Sequence, residues 1–179
     1  SGSTGDKTHA STTFFSVDSA TLSGTYAFQA QLRSESGITV TCALVDGICK
    51  RWRPEGAAVQ QPRFGSAGRT AVVHDASGWL NVYVDDKPVL AEAFEQAGPT
   101  WGMGQRSFVL SPDEKRVALC RNERGFGRLI VVERSTGVVT NIGKGGHGQL
   151  SWHGTTVVAL RTGAVTPTQI VAYDLRDLN

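Results

Sequence analysis

One arrangement of strands and turns recurs four times along the 179 residues of this chain, and a repeat of that kind decides a fold before any single residue does. The clearest copy begins at Ser107-Phe108-Val109-Leu110, turns at Ser111-Pro112-Asp113-Glu114-Lys115 and continues from Arg116 to Arg121. Pro112 presets φ for the second position of a type I turn, and the oxygens of Ser111 and Asp113 suit nearby backbone amides. Glu114 stands where a turn of this kind usually carries glycine. Arg128 to Glu133 reads as a third strand, and the turn Ser135-Thr136-Gly137 leads to a fourth from Val138 to Ile142.

The other copies follow the same grammar. Downstream, Gln149 to Trp152 turns at His153-Gly154 into Thr156 to Leu160, then Gln169 to Asp174, with the fourth strand missing. Upstream come Arg63 to Gly65, Thr70 to His74, Trp79 to Val84 and a short Pro88-Val89-Leu90. The earliest copy reads Phe14 to Val17, Thr25 to Ala30, Ile38 to Val45 and Ile48 to Arg53, with Asp46-Gly47 as a preferred hairpin pair. Equivalent second strands lie about 40 to 46 residues apart, the period of four-stranded propeller blades. Third strands such as Leu129 to Val132 are apolar without interruption, as expected when neighbours cover both faces of a sheet. The expectation is an all-β chain, a β-propeller fragment of about four blades, each a four-stranded antiparallel sheet, the last incomplete. Residues 1–12 read as a flexible linker, and the blades as 13–56, 57–97, 105–145 and 147–179. The helix-like stretch Val89 to Phe94 is short enough to be a loop.

Twenty-one glycines against six prolines agree with many short strands joined by tight turns. A net charge of +2, from 18 basic and 16 acidic residues, gives no electrostatic case for nucleic acid or an anionic membrane. No apolar run approaches the roughly 20 residues of a membrane span, and no export signal is present. A cytoplasmic location is therefore expected, with Cys42, Cys49 and Cys120 as reduced core or face residues. The absence of an initiator Met suggests an excerpt of something longer.

The chemistry-bearing motifs are weak. Acyl transfer needs a serine on a G-x-S-x-G elbow with oxyanion donors and a His-Asp pair, and Gly65-Ser66-Ala67-Gly68 has the wrong spacing inside a turn. Gly143-Lys144-Gly145-Gly146-His147-Gly148 matches G-x-G-x-x-G, yet a strand follows where dinucleotide binding needs a helix, so it reads as an inter-blade connector. His9, His74, His147 and His153 lack metal-ligand spacing, so neither a metal nor a cofactor is expected. Lys50-Arg51-Trp52-Arg53 reads as charge protecting an outer strand. Trp79, Trp101 and Trp152 are expected to pack in or between blades. The one cluster with functional interest is Arg121-Asn122-Glu123-Arg124, leading into a glycine-rich loop. There Glu123 suits a peptide's amino terminus, and Arg121 and Arg124 suit a carboxylate.

Three segments carry a resemblance to a known family: Asp75-Ala76-Ser77-Gly78-Trp79-Leu80-Asn81-Val82-Tyr83, then Gly98-Pro99-Thr100-Trp101-Gly102 with Gln105-Arg106-Ser107-Phe108, then Arg121 to Leu129. They resemble the N-terminal propeller of the prolyl oligopeptidase family of serine peptidases, in its bacterial aminopeptidase and acylaminoacyl-peptidase branch. The resemblance covers residues 60 to 175, and the Ser111-Pro112-Asp113 turn is shared with TolB-like propellers. It implies a non-catalytic lid that restricts entry to short peptides or peptide-like amides and sits on a C-terminal α/β-hydrolase domain, its partner. The alternative is a stand-alone TolB-like or WD-repeat-like scaffold for protein interactions. A last blade lacking its outer strand leaves an open apolar face, from which self-association is expected.

Overall fold

The computed structural model describes residues 9–11, 26–33, 40–45, 48–52, 57–65, 69–99 and 104–177, the first four of these stretches and position 64 as backbone. They form four antiparallel sheets in which chain neighbours are hydrogen-bonded neighbours. The first sheet holds β1 (His9–Ser11), β2 (Tyr26–Arg33), β3 (Val40–Val45) and β4 (Ile48–Trp52), and the second β5 (Val59–Phe64), β6 (Thr70–His74), β7 (Asn81–Val84) and β8 (Lys87–Pro88). The third holds β9 (Phe108–Leu110), β10 (Arg116–Glu123), β11 (Phe126–Glu133) and β12 (Val139–Lys144). The fourth has three strands, β13 (Gly146–His153), β14 (Thr156–Gly163) and β15 (Thr166–Asp174). β1 falls inside the stretch read as linker, and the strand expected at Phe14 to Val17 lies outside the described residues.

The third sheet shows why its strands are so apolar. Val117 pairs with Val132 and Leu119 with Ile130, and this face packs on Ala71, Val73, Val82 and Val84 of the second sheet. One residue along, Ala118 pairs with Val131 and Cys120 with Leu129, facing Leu150, Trp152, Val157 and Ala159 of the fourth. Because side chains alternate across a strand, burial on both faces demands an unbroken apolar run. Among the described residues, the fourth sheet is covered on one face only. Its other face carries Leu160 opposite Ile170, which are 38% and 75% exposed.

The first strands of the second, third and fourth sheets converge. Ser107 N donates to Gln61 Oε1 at 2.8 Å, Arg63 to Gln105 O at 2.5 Å and Leu150 N to Arg106 O at 3.0 Å. Gln61, Gln105 and Gln149 stand 44 residues apart, as do Phe64, Phe108 and Trp152. Gln61 and Gln149 both adopt φ 53° at bulges in β5 and β13. Such bulges bend an inner strand and re-aim its side chains.

The turns differ from expectation in instructive ways. Glu114 takes φ 57° with its N–H donating to Ser111 O, so it adopts the left-handed position that glycine would fill. That conformation costs about 1 to 2 kcal/mol. The buried Glu114 carboxylate meets Arg69 Nε, beside β6 of the second sheet, at 3.3 Å, and Arg69 in turn holds Asp85 at 2.6 Å. Val89 to Phe94 forms no helix: Asn81 binds Phe94 O and Glu92 N, while buried Gln96 binds Val82 N and Leu90 O. Trp79, expected to pack between blades, is 41% exposed beside the β6–β7 turn, whereas Trp152 is buried against Leu150. Trp101 lies outside the described residues.

Candidate functional site

The β10–β11 hairpin closes through Asn122 Oδ1, which accepts from Gly125 N at 2.6 Å, with Arg124 at φ 53° and Gly125 at φ 93°. Two consecutive left-handed residues match the twist of a two-residue hairpin. This geometry leaves Arg124 exposed at the tip. Arg121 turns the other way, into a cleft of about 640 Å³ shared with the loop before β9. Its guanidinium meets Glu92 at 3.1 Å and Glu123 in a shorter contact, and lies 5.6 Å over the Phe94 ring. Glu123 also meets Arg128 Nε at 3.3 Å.

The three residues singled out in the sequence are therefore brought to one hairpin, in different situations. Arg121 and Glu123 already hold one another within a balanced set of two acids and two bases, so a ligand there has to exchange for an existing partner. Arg124 remains in solvent. The Ser107 hydroxyl and Arg121 Nε, buried beside the same cleft, have no hydrogen-bond partner among the described residues.

The far wall of the cleft is built from the glycine-rich connector. Gly145, at φ 102°, is the single residue between β12 and β13 and makes the change of sheet. Beside it, His147 Nδ1 donates to Gly145 O at 2.9 Å, which fixes the tautomer and leaves Nε2 to accept from Tyr173 OH at 2.7 Å. Cys120 Sγ donates to His147 O at 3.1 Å, and burial pushes its thiol up to about 12, so it is neutral and unreactive. No group of three or more metal-ligating side chains occurs among the described residues. No described helix is long and apolar enough to cross a membrane.

His74 and His147 are both held below their ordinary value of 6.5, mainly by burial; Arg161 adds to the effect at His147 and the Gly145 carbonyl opposes it. A histidine harder to protonate when folded takes up its proton on unfolding. Stability is then full above the unfolded value and falls as pH drops through it, until the folded imidazoles protonate too. The melting temperature is expected to decline between about pH 7 and pH 5, less steeply in His147→Gln. A melting temperature that rises on acidification, or a slope the variant leaves unchanged, would remove His147 from this account.

No family model matches the chain, and no curated protein does. Solved structures do. A Mycobacterium tuberculosis puromycin-hydrolyzing peptidase superposes on 87% of the chain with TM-score 0.67 and 22% identity, and a puromycin hydrolase on 84% with TM-score 0.64 and 19% identity. TolB from Acinetobacter baumannii covers 84% with TM-score 0.51 and 14% identity. Combined with the row of antiparallel meanders, three of which meet at their first strands, the likeness settles the architecture. The chain is a β-propeller segment. It spans 26% and 25% of the two puromycin-hydrolysing chains and 40% of TolB. In propeller terms β5, β9 and β13 are the inner strands of their blades, and the β10–β11 hairpin lies at one end of the third blade.

Proposed function

We propose that this propeller segment is the non-catalytic, substrate-admitting part of a serine peptidase of the prolyl oligopeptidase type, in its aminopeptidase or acylaminoacyl-peptidase branch. The observation that carries the reading is the closer backbone match to two puromycin-hydrolysing proteins, at TM-scores of 0.67 and 0.64, than to TolB at 0.51. The segments around Trp79, Gln105 and Arg121 support it. On this reading the chemistry belongs to an α/β-hydrolase domain elsewhere in the protein, and the blades limit entry to short peptides or peptide-like amides. The hairpin of Arg121, Glu123 and Arg124 is the part of the segment that meets them. The free thiol of Cys120 is compatible with the proposed cytoplasmic location. The bare face of Leu160 and Ile170 is where a further blade sits, or a second copy when the segment is isolated.

The reading is tested on the gene and on the chain together. The reading frame after the Asn179 codon is expected to encode more blades and then a G-x-S-x-G elbow, while the isolated segment neither hydrolyses aminoacyl amides nor takes up a fluorophosphonate label. In the full-length enzyme Glu123→Ala is expected to raise KM for short peptides. A frame without the elbow, or labelling of the isolated segment, sinks the peptidase reading; unchanged kinetics in the variant removes the hairpin from it. TolB keeps one other reading alive, a propeller used as an interaction scaffold, which a frame lacking a hydrolase would favour.

A further inference from the structure

A second cleft, of about 700 Å³, runs along the inner strands of the second, third and fourth blades, away from the β10–β11 hairpin. Its charged lining among the described residues is cationic, Arg63 from β5 and Arg106 from the approach to β9, with the buried Glu114 carboxylate behind the Gly65 backbone. Neither arginine takes part in the ion pairs formed among the described residues. Arg63 is half-buried and donates to two backbone carbonyls, Pro62 O at 2.9 Å and Gln105 O at 2.5 Å. Those bonds aim the guanidinium without cancelling its charge. Burial first, and then the charge of Arg106, hold Arg63 below its ordinary value. Beside them the wall carries the partly exposed Val109 and Leu110, with Phe108, Leu150 and Trp152 buried beneath.

Two cations lining one groove, one of them fixed by the backbone, form a site that suits an anion, and a planar guanidinium fork matches the two oxygens of a carboxylate. The apolar wall beside it gives a hydrocarbon side chain somewhere to go, which a hydrated phosphate would leave unused. We propose that this inner cleft binds the terminal carboxylate of a short apolar peptide, with Arg63 and Arg106 on the carboxylate and the partly exposed Val109 and Leu110 beside the last side chain. The site is independent of any hydrolase domain, since every group in it belongs to this chain, and its failure would leave the peptidase reading standing.

The test is calorimetric titration of the chain with three probes: N-acetyl-alanyl-leucine as the free acid, the same dipeptide as its amide, and inorganic phosphate. The acid is expected to bind at least about 10-fold more tightly than the amide, the scale of one lost charged hydrogen bond. Arg106→Gln, at an exposed position where the fold has little at stake, is expected to abolish that preference with an unchanged melting temperature, and Arg106→Lys to retain part of it. Equal binding of acid and amide, phosphate binding as tightly as the acid, a preference that survives Arg106→Gln, or no binding of the acid at millimolar concentration would each overturn the proposal.

Discussion

Replacing Gly127 with alanine is expected to destabilise this chain by about 3 kcal/mol or more, at the upper end of what overpacking does. A Cβ at Gly127 would lie 2.4 Å from Gly145 O, 2.7 Å from Gly145 C and 2.9 Å from Gly146 N. The obstacle is backbone, so no rotamer change relieves it. Gly145 cannot readily move away, because its N–H donates to Gly127 O at 3.0 Å and its own φ of 102° is open chiefly to glycine. Separating the two segments would shift the connector that carries the chain from the third blade to the fourth. Urea unfolding gives the measurement, with Gly148→Ala as control, since a Cβ there meets nothing within 4 Å. The control is expected to stay within about 0.5 kcal/mol of the parent. A loss below about 1 kcal/mol at Gly127 would mean that the two backbones are not in this contact.

The second large effect is a pair. Leu129 and Ile130 are consecutive in β11 and fully buried, yet they serve different interfaces: Leu129 packs with Leu150, Trp152 and Val157, and Ile130 with Val73, Val82 and Leu119. Each change to alanine is expected to cost about 2 to 5 kcal/mol, the range for buried aliphatic truncations. Stability alone does not tell the two faces apart. Trp152 fluorescence does: Leu129→Ala is expected to shift its emission in the native state and Ile130→Ala to leave it where it was. Equal shifts in the two variants, or a cost below about 1 kcal/mol in either, would contradict two-sided packing of the blade.

Much of this architecture was legible because propeller blades write themselves in periodic form. The run from Leu129 to Val132 announced a sheet covered on both faces, and Ser111-Pro112-Asp113 announced its turn. Other features carried no local signal. The β7–β8 turn is made by Asp85 and Asp86, both left-handed at φ 50° and 62°, without the glycine that normally betrays such a hairpin. Asp85 is stabilised there by bonds from Thr70 N and Arg69, partners fifteen and sixteen residues away. The bulges at Gln61 and Gln149 had a signal that a closer reading would find, the 44-residue recurrence of glutamine three residues before an aromatic. The arginine-lined inner cleft had none. Arg63 and Arg106 lie far apart in sequence, and only the convergence of inner strands brings them together. The charge cluster at Arg121 was visible as composition, but its pairing with Glu92 depends on a loop pinned by Gln96, which no local pattern reveals.

The one-sided cover of the fourth blade has a thermodynamic consequence. A row of units, each resting on the next, behaves like a linear chain of coupled spins, and its end member has a single coupling where interior members have two. Val157 and Ala159 are sealed against the third blade while Leu160 and Ile170 are exposed, so this blade is expected to open at lower cost than the third, which is covered on both faces. Amide protons of β15 should exchange through fraying of that end, and those of β10 and β11 only when the whole row dissolves. Melting of such a row proceeds as a gradient along its length, and a single global unfolding energy describes its middle better than its edge.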